Sequence, residues 1–153
     1  MRNVLIAAVV TLAAAAVVAA PLDTGRALAV MHERHEGMET IGKANKAANR
    51  ELGGAPNLAV VRTSAAQIAD LSRKASGWFP AGTGPDVGKT RAKPEIWQNP
   101  QDFAAKAHNF QVAAQAFNAV AATGDINAMK ARFADLGGTC KACHDKYRAE
   151  EKH

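Results

Sequence analysis

Apolar residues recur along most of this chain at helical spacing. From about Thr24 to Glu51 a seam of Leu28, Met31, His35, Met38, Gly42 and Asn45 advances by alternating steps of three and four, and it ends at Gly53-Gly54. A second seam, Leu58, Val61, Ala65, Ile68 and Ala75, lies between Pro56 and Gly77. The next stretch, GWFPAGTGPDVGKTRAKPEIWQNP, holds too much Gly and Pro for a long helix and predicts a loop with a short turn at Pro94–Trp97. A third helix is signposted by Asn99 as cap and Pro100 in the first helical position, and Gly124 stops it. Along it Phe103, Phe110 and Phe117 repeat every seven residues, interleaved with Ala107, Ala114 and Ala121. Asp125 caps a fourth, whose stripe of Met129, Phe133, Leu136, Cys140, Cys143 and Tyr147 runs out near Glu151.

No strand-like alternation stands out, so the fold class is all-α. The first and third joins are short, which predicts an antiparallel up-down-up-down four-helix bundle with its interior open to a cofactor. Composition agrees: the chain is 48% hydrophobic but only 5% aromatic, so its core must be built largely from Ala with Leu, Val, Ile and Met, which suits closely packed helices. The N-terminus reads differently. Arg2 precedes an uncharged apolar run from Val4 to Ala20, and Val17-Val18-Ala19 offers small residues for signal peptidase. Residues 1–19 are expected to be a cleaved secretory signal and 20–153 the domain, with an uncleaved anchor as the competing reading. Export implies an oxidising compartment. The formal charge of +5 is scattered rather than interleaved with aromatics, which argues against nucleic acid and is compatible with an acidic redox partner protein.

The chemistry concentrates in Cys140-Lys141-Ala142-Cys143-His144, the C-x-x-C-H spacing of c-type haem attachment. On a helix, 140, 143, 144 and 147 share a face, so two thiols can meet two vinyl groups while the adjacent imidazole reaches the iron. Three other readings fit less well. A redox C-x-x-C normally follows a strand. A zinc site needs four spaced ligands, and His32, His35, His108 and His153 form no matching pair. A disulfide within one helical turn leaves His144 unexplained.

The late C-x-x-C-H within CKACHDKYR, the loop text GWFPAGTG…RAKPEIW and a Met-containing first helix resemble the cytochrome c′ family, the class II c-type cytochromes. The resemblance spans nearly the whole mature chain. It implies one covalent haem c per chain, held by Cys140 and Cys143 with His144 as proximal iron ligand, a haem between the helices, a periplasmic location, and often a homodimer through the first two helices. It also implies Arg148 near the proximal haem face; a solvated cation at the helix end is the alternative. High-spin members leave the sixth iron position empty and bind nitric oxide or carbon monoxide, whereas a low-spin branch fills it with methionine.

Met31 occupies that first-helix position in this reading, as distal iron ligand or as lining. The family's Arg four residues earlier is replaced by Ala27, with Arg26 one before it, a departure that favours the low-spin branch. A thioether in that seam is a credible soft ligand, with His35 as runner-up. Met38 reads as core, the Phe ladder as packing, and Trp78 and Trp97 as loop anchors or haem cover. Gly137 and Gly138 mark either close backbone approach or a bend. The expected function is therefore single-electron transfer by Fe(III)/Fe(II) cycling, not enzymatic turnover, with five-coordinate gas binding as the alternative. Peroxidase-like turnover lacks a distal acid/base pair.

Overall fold

The computed structural model describes residues 22–150. The chain forms α1 (Thr24–Leu52), α2 (Leu58–Ala75), the one-turn α3 (Glu95–Gln98), α4 (Pro100–Thr123) and α5 (Ile126–Tyr147), with a 3-10 turn at Ser76–Trp78. Local chemistry sets the ends. Asp23, Asn57 and Asp125 side chains accept from Arg26, Ala59 and Ala128 backbone N–H groups, and Gly124 closes α4 at φ 85°, a conformation glycine adopts without strain. The short turn expected at 94–97 is α3.

Two boundaries differ from the sequence pattern. α2 starts after its Asn57 cap rather than at Pro56. α5 stops at Tyr147 rather than near Glu151, because Arg148 turns extended and the chain pairs with the long connection: Ala149 N–H donates to Arg91 O at 2.8 Å, and Lys93 N–H to Tyr147 O at 3.0 Å. Interstrand bonding there replaces the helical bonds the last residues would otherwise make.

α1 packs on α2, α2 on α4 and α4 on α5, whereas α1 and α5 meet only sparsely. The architecture is the expected all-α antiparallel four-helix bundle, with one flank loose. Its core joins Ile41, Ala48 and Leu52 of α1, Val61, Ala65 and Ile68 of α2, Ala114 and Phe117 of α4, and Met129 and Leu136 of α5. The buried stripe of α1 is Ala27, Met31, Arg34, Gly37, Ile41, Ala44, Ala48 and Leu52, one residue round from the seam expected above. Leu28 is half-exposed and His35 lies outside, its Nε2 3.4 Å from a Glu39 carboxylate oxygen. The cause is size. Small residues on that face let α2 and the connection approach closely: Gly37 lies so near the Trp78 indole that a Cβ would collide with it.

The connection is tied down from α1. Arg34 is 5% exposed, and none of its described partners is a carboxylate. It donates instead to Trp78 O, to Thr83 Oγ1 and O, and to Thr90 Oγ1, at 2.9–3.3 Å, and lies 4.9 Å from the centroid of the Phe79 ring. Trp78 donates to Glu33, and Trp97 to the Phe79 and Pro80 carbonyls, so both tryptophans anchor the connection. Among the described residues no helix is long and apolar enough to cross a membrane. The expected signal, residues 1–19, lies outside the described residues.

Candidate cofactor site

Cys140, Cys143 and His144 fall in the last two turns of α5, brought there by the stripe that begins with Met129 and Leu136 in the core. Both cysteines are half-buried free thiols. Burial pushes each thiol's pKa up, with the nearby Lys106 ammonium partly opposing this at Cys143. They are therefore held as protonated thiols. Burial also pushes His144 below the ordinary imidazole range, and the Arg148 and Arg91 charges act in the same direction. The imidazole keeps a neutral nitrogen lone pair, the form a metal requires.

Earlier along α5 the bundle is open. A cleft of about 560 Å³ separates α1 from α5, lined by Asn45, Asn49, Leu52 and Gly53 on one side and Lys130, Phe133, Ala134 and Gly137 on the other. Gly42 and Gly137 have nothing within 4 Å of where a Cβ would stand, so on both walls a side chain is missing where there is room for one. A flat macrocycle joined to Cys140 and Cys143 needs such a slot between helices. The donor set fits as well: two thiols one turn apart and an imidazole next to the second.

The two helices run antiparallel, so a step back along α1 matches a step forward along α5. Asn45 shares the cleft with Gly137, and Asn49 with Phe133. Neither Met31 nor any of Cys140, Cys143 and His144 lines this cleft, which ends on α5 at Gly137. The buried Met31 thioether is covered by the connection, close against Gly88. Helical spacing gives the face of α1 but not what the connection lays over it.

The other expectations sort as follows. His35, the runner-up ligand, is on the outer surface. Arg148 is exposed, and its backbone N–H caps His144 O at 3.0 Å. Phe117 stacks on Phe133 in the core, while Phe103 contacts Phe79 and Tyr147, so the ladder is packing. Arg34 escaped the sequence reading because a charged residue in a polar-looking segment gives no sign that it is buried. Its one available signal was the spacing from Ala27 and Met31.

Residues 29–148 match the family model described as Cytochrome C′. A curated relative, cytochrome c′ from Allochromatium vinosum, is 40% identical over 120 residues, covering 76% of this chain and 78% of its own. A solved cytochrome c′, described as having ligand-controlled dimer dissociation, superposes with a TM-score of 0.76 at 35% identity, covering 86% of this chain and 100% of its own. The nitric oxide complex of a variant cytochrome c′ from Alcaligenes xylosoxidans superposes with a TM-score of 0.72 at 26% identity, again over 86% and 100%.

Proposed function

The chain belongs to the cytochrome c′ family and carries a covalent haem c, and on that premise we propose that it binds a diatomic gas, nitric oxide or carbon monoxide, at an open sixth iron position. This replaces electron carriage as the leading reading. The observation that carries it is the nitric oxide complex of a relative of the same fold, taken with a Met31 packed under the connection against Gly88. The comparisons lend the low-spin, methionine-ligated branch no support.

In this reading Cys140 and Cys143 hold the haem through thioether bonds and His144 supplies the proximal nitrogen. Bound haem contributes an iron whose free side takes the gas. Met38, half-buried and packed against the core, lines that side rather than bonding the metal. Met31 under Gly88 helps seal the end of the bundle. Burial first, and the positive charges of Arg148 and Arg91 after it, favour the neutral His144 imidazole, the form that can serve as a ligand. Export by residues 1–19 to the periplasm and pairing of two copies through α1 and α2 belong to the same proposal, as does the absence of catalytic turnover.

Absorption spectra of ferric and ferrous protein, with and without carbon monoxide, test it. Five-coordinate high-spin iron that takes carbon monoxide readily is expected, with the association rate altered by Met38→Ala and little changed by Met31→Ala. Six-coordinate low-spin iron that binds carbon monoxide only after one of these substitutions would restore electron carriage and name the ligand.

A further inference from the structure

Tyr147 is the only tyrosine in the chain, and neither haem attachment nor gas binding uses it. It lies three residues beyond His144 on the same helical face and is 2% exposed. Its hydroxyl donates to Asp102 Oδ2 of α4 at 2.5 Å, and the same oxygen accepts from Lys146 Nζ at 2.9 Å. The ring stands edge-on to Phe103, which stands edge-on to Phe79, so its carbon frame is shielded by apolar rings.

A buried phenol beside a redox metal, hydrogen-bonded to a carboxylate, has the parts for coupled loss of an electron and a proton. Oxidation makes a phenol's proton strongly acidic, and a carboxylate already holding that proton's hydrogen bond accepts it with little movement. Asp102 is partly exposed, so the proton can pass on to water. We propose that Tyr147 is a redox-active residue that supplies an electron when the haem is oxidised by a hydroperoxide, with Asp102 as its proton acceptor.

The balance is as follows for ferrous protein and hydrogen peroxide. Peroxide takes two electrons, one from iron, which ends ferric, and one from the Tyr147 phenol, which ends as the neutral phenoxyl radical. The O–O bond breaks, two protons from solvent complete two waters, and the phenolic proton moves to Asp102 Oδ2. The proposal rests on haem at Cys140, Cys143 and His144 and on peroxide reaching the iron.

Ferrous holoprotein mixed with hydrogen peroxide and freeze-quenched is expected to give an organic radical in electron paramagnetic resonance. Its hyperfine pattern should change when the protein carries ring-deuterated tyrosine. Tyr147→Phe, which keeps the ring packing, should abolish the signal. Asp102→Asn, which still offers an acceptor oxygen for the hydrogen bond, should slow its appearance by roughly 10²-fold, the low end for a positioned proton acceptor. A purely structural pin between α5 and α4 would leave these signatures unmoved. The same radical in Tyr147→Phe, equal rates in Asp102→Asn, or no radical in a preparation that takes up carbon monoxide would each overturn the proposal. If the wild type takes up no carbon monoxide, the gas-binding reading fails, and the same measurement on Met38→Ala, with and without Tyr147→Phe, decides this one.

Discussion

The two flanks of α5 are built from the same helix yet do opposite things. Toward α4 it packs closely, Phe117 meeting Phe133, Phe103 meeting Tyr147, and Lys146 and Tyr147 both bonding Asp102, beside a smaller cleft of about 420 Å³ between Lys106 and Asn109 of α4 and Ala134, Gly138 and Ala142 of α5. Toward α1 it is open, with Gly137 and two asparagines along a cleft. A helix bundle closes wherever large apolar side chains interdigitate and stays apart where small or polar ones replace them. A cofactor slot is thus made by what one face omits, while the opposite face supplies the stability that lets it be omitted.

The contrast can be broken most strongly from the closed side. Phe117→Ala, which empties a fully buried position, should cost about 3–5 kcal/mol of holoprotein stability, while Asn49→Ala on the open flank should stay within about 0.5 kcal/mol. Denaturant unfolding measures both, and equal losses would mean that the cleft is a packed interface. Filling the slot is the next largest effect. Gly137→Leu, whose Cβ has nothing within 4 Å, should leave helicity intact while lowering covalent haem content several-fold, read by absorbance per chain. Unchanged haem content would move the haem out of that slot.

The smallest effect sharpens the closed side. Hydrogen bonds from Tyr147 and Lys146 hold the Asp102 carboxyl below the ordinary carboxylate range. A carboxylate so depressed stabilises the fold above its unfolded pKa, and loses that contribution as pH falls through the lower folded value. Wild type should therefore exceed Asp102→Asn in thermal midpoint at neutral pH, and the gap should close in the acid range below about pH 4. A gap that does not depend on pH would show that the carboxylate's charge contributes nothing.

How much of this was legible beforehand differs by residue. Cys140, Cys143 and His144 could be read directly, because their grouping depends only on spacing within one helix. So could the cap Asp125 and the stop at Gly124, which are local chemistry, whereas the Asn99 side chain, expected as a cap, donates back to Glu95 O instead. Met31 and His35 could not be placed, since both share a plausible seam and the choice between buried and exposed turns on what α2 and the connection bring alongside. Arg34 is the clearest case: beyond its spacing from Ala27 and Met31 nothing near it in sequence marks a buried cation, and its oxygen partners come from residues 78–90.

The all-α class, most helix starts and the grouping of Cys140, Cys143 and His144 on one helix follow from contacts within a few residues, so the amino-acid order alone gives them, whereas the end of α5 does not. Only packing between distant segments sets α1 apart from α5, lays the connection over Met31, and brings Tyr147 to Asp102. These depend on the height and rotation of one helix against another, which are fixed by side-chain size at interfaces between residues far apart in the chain.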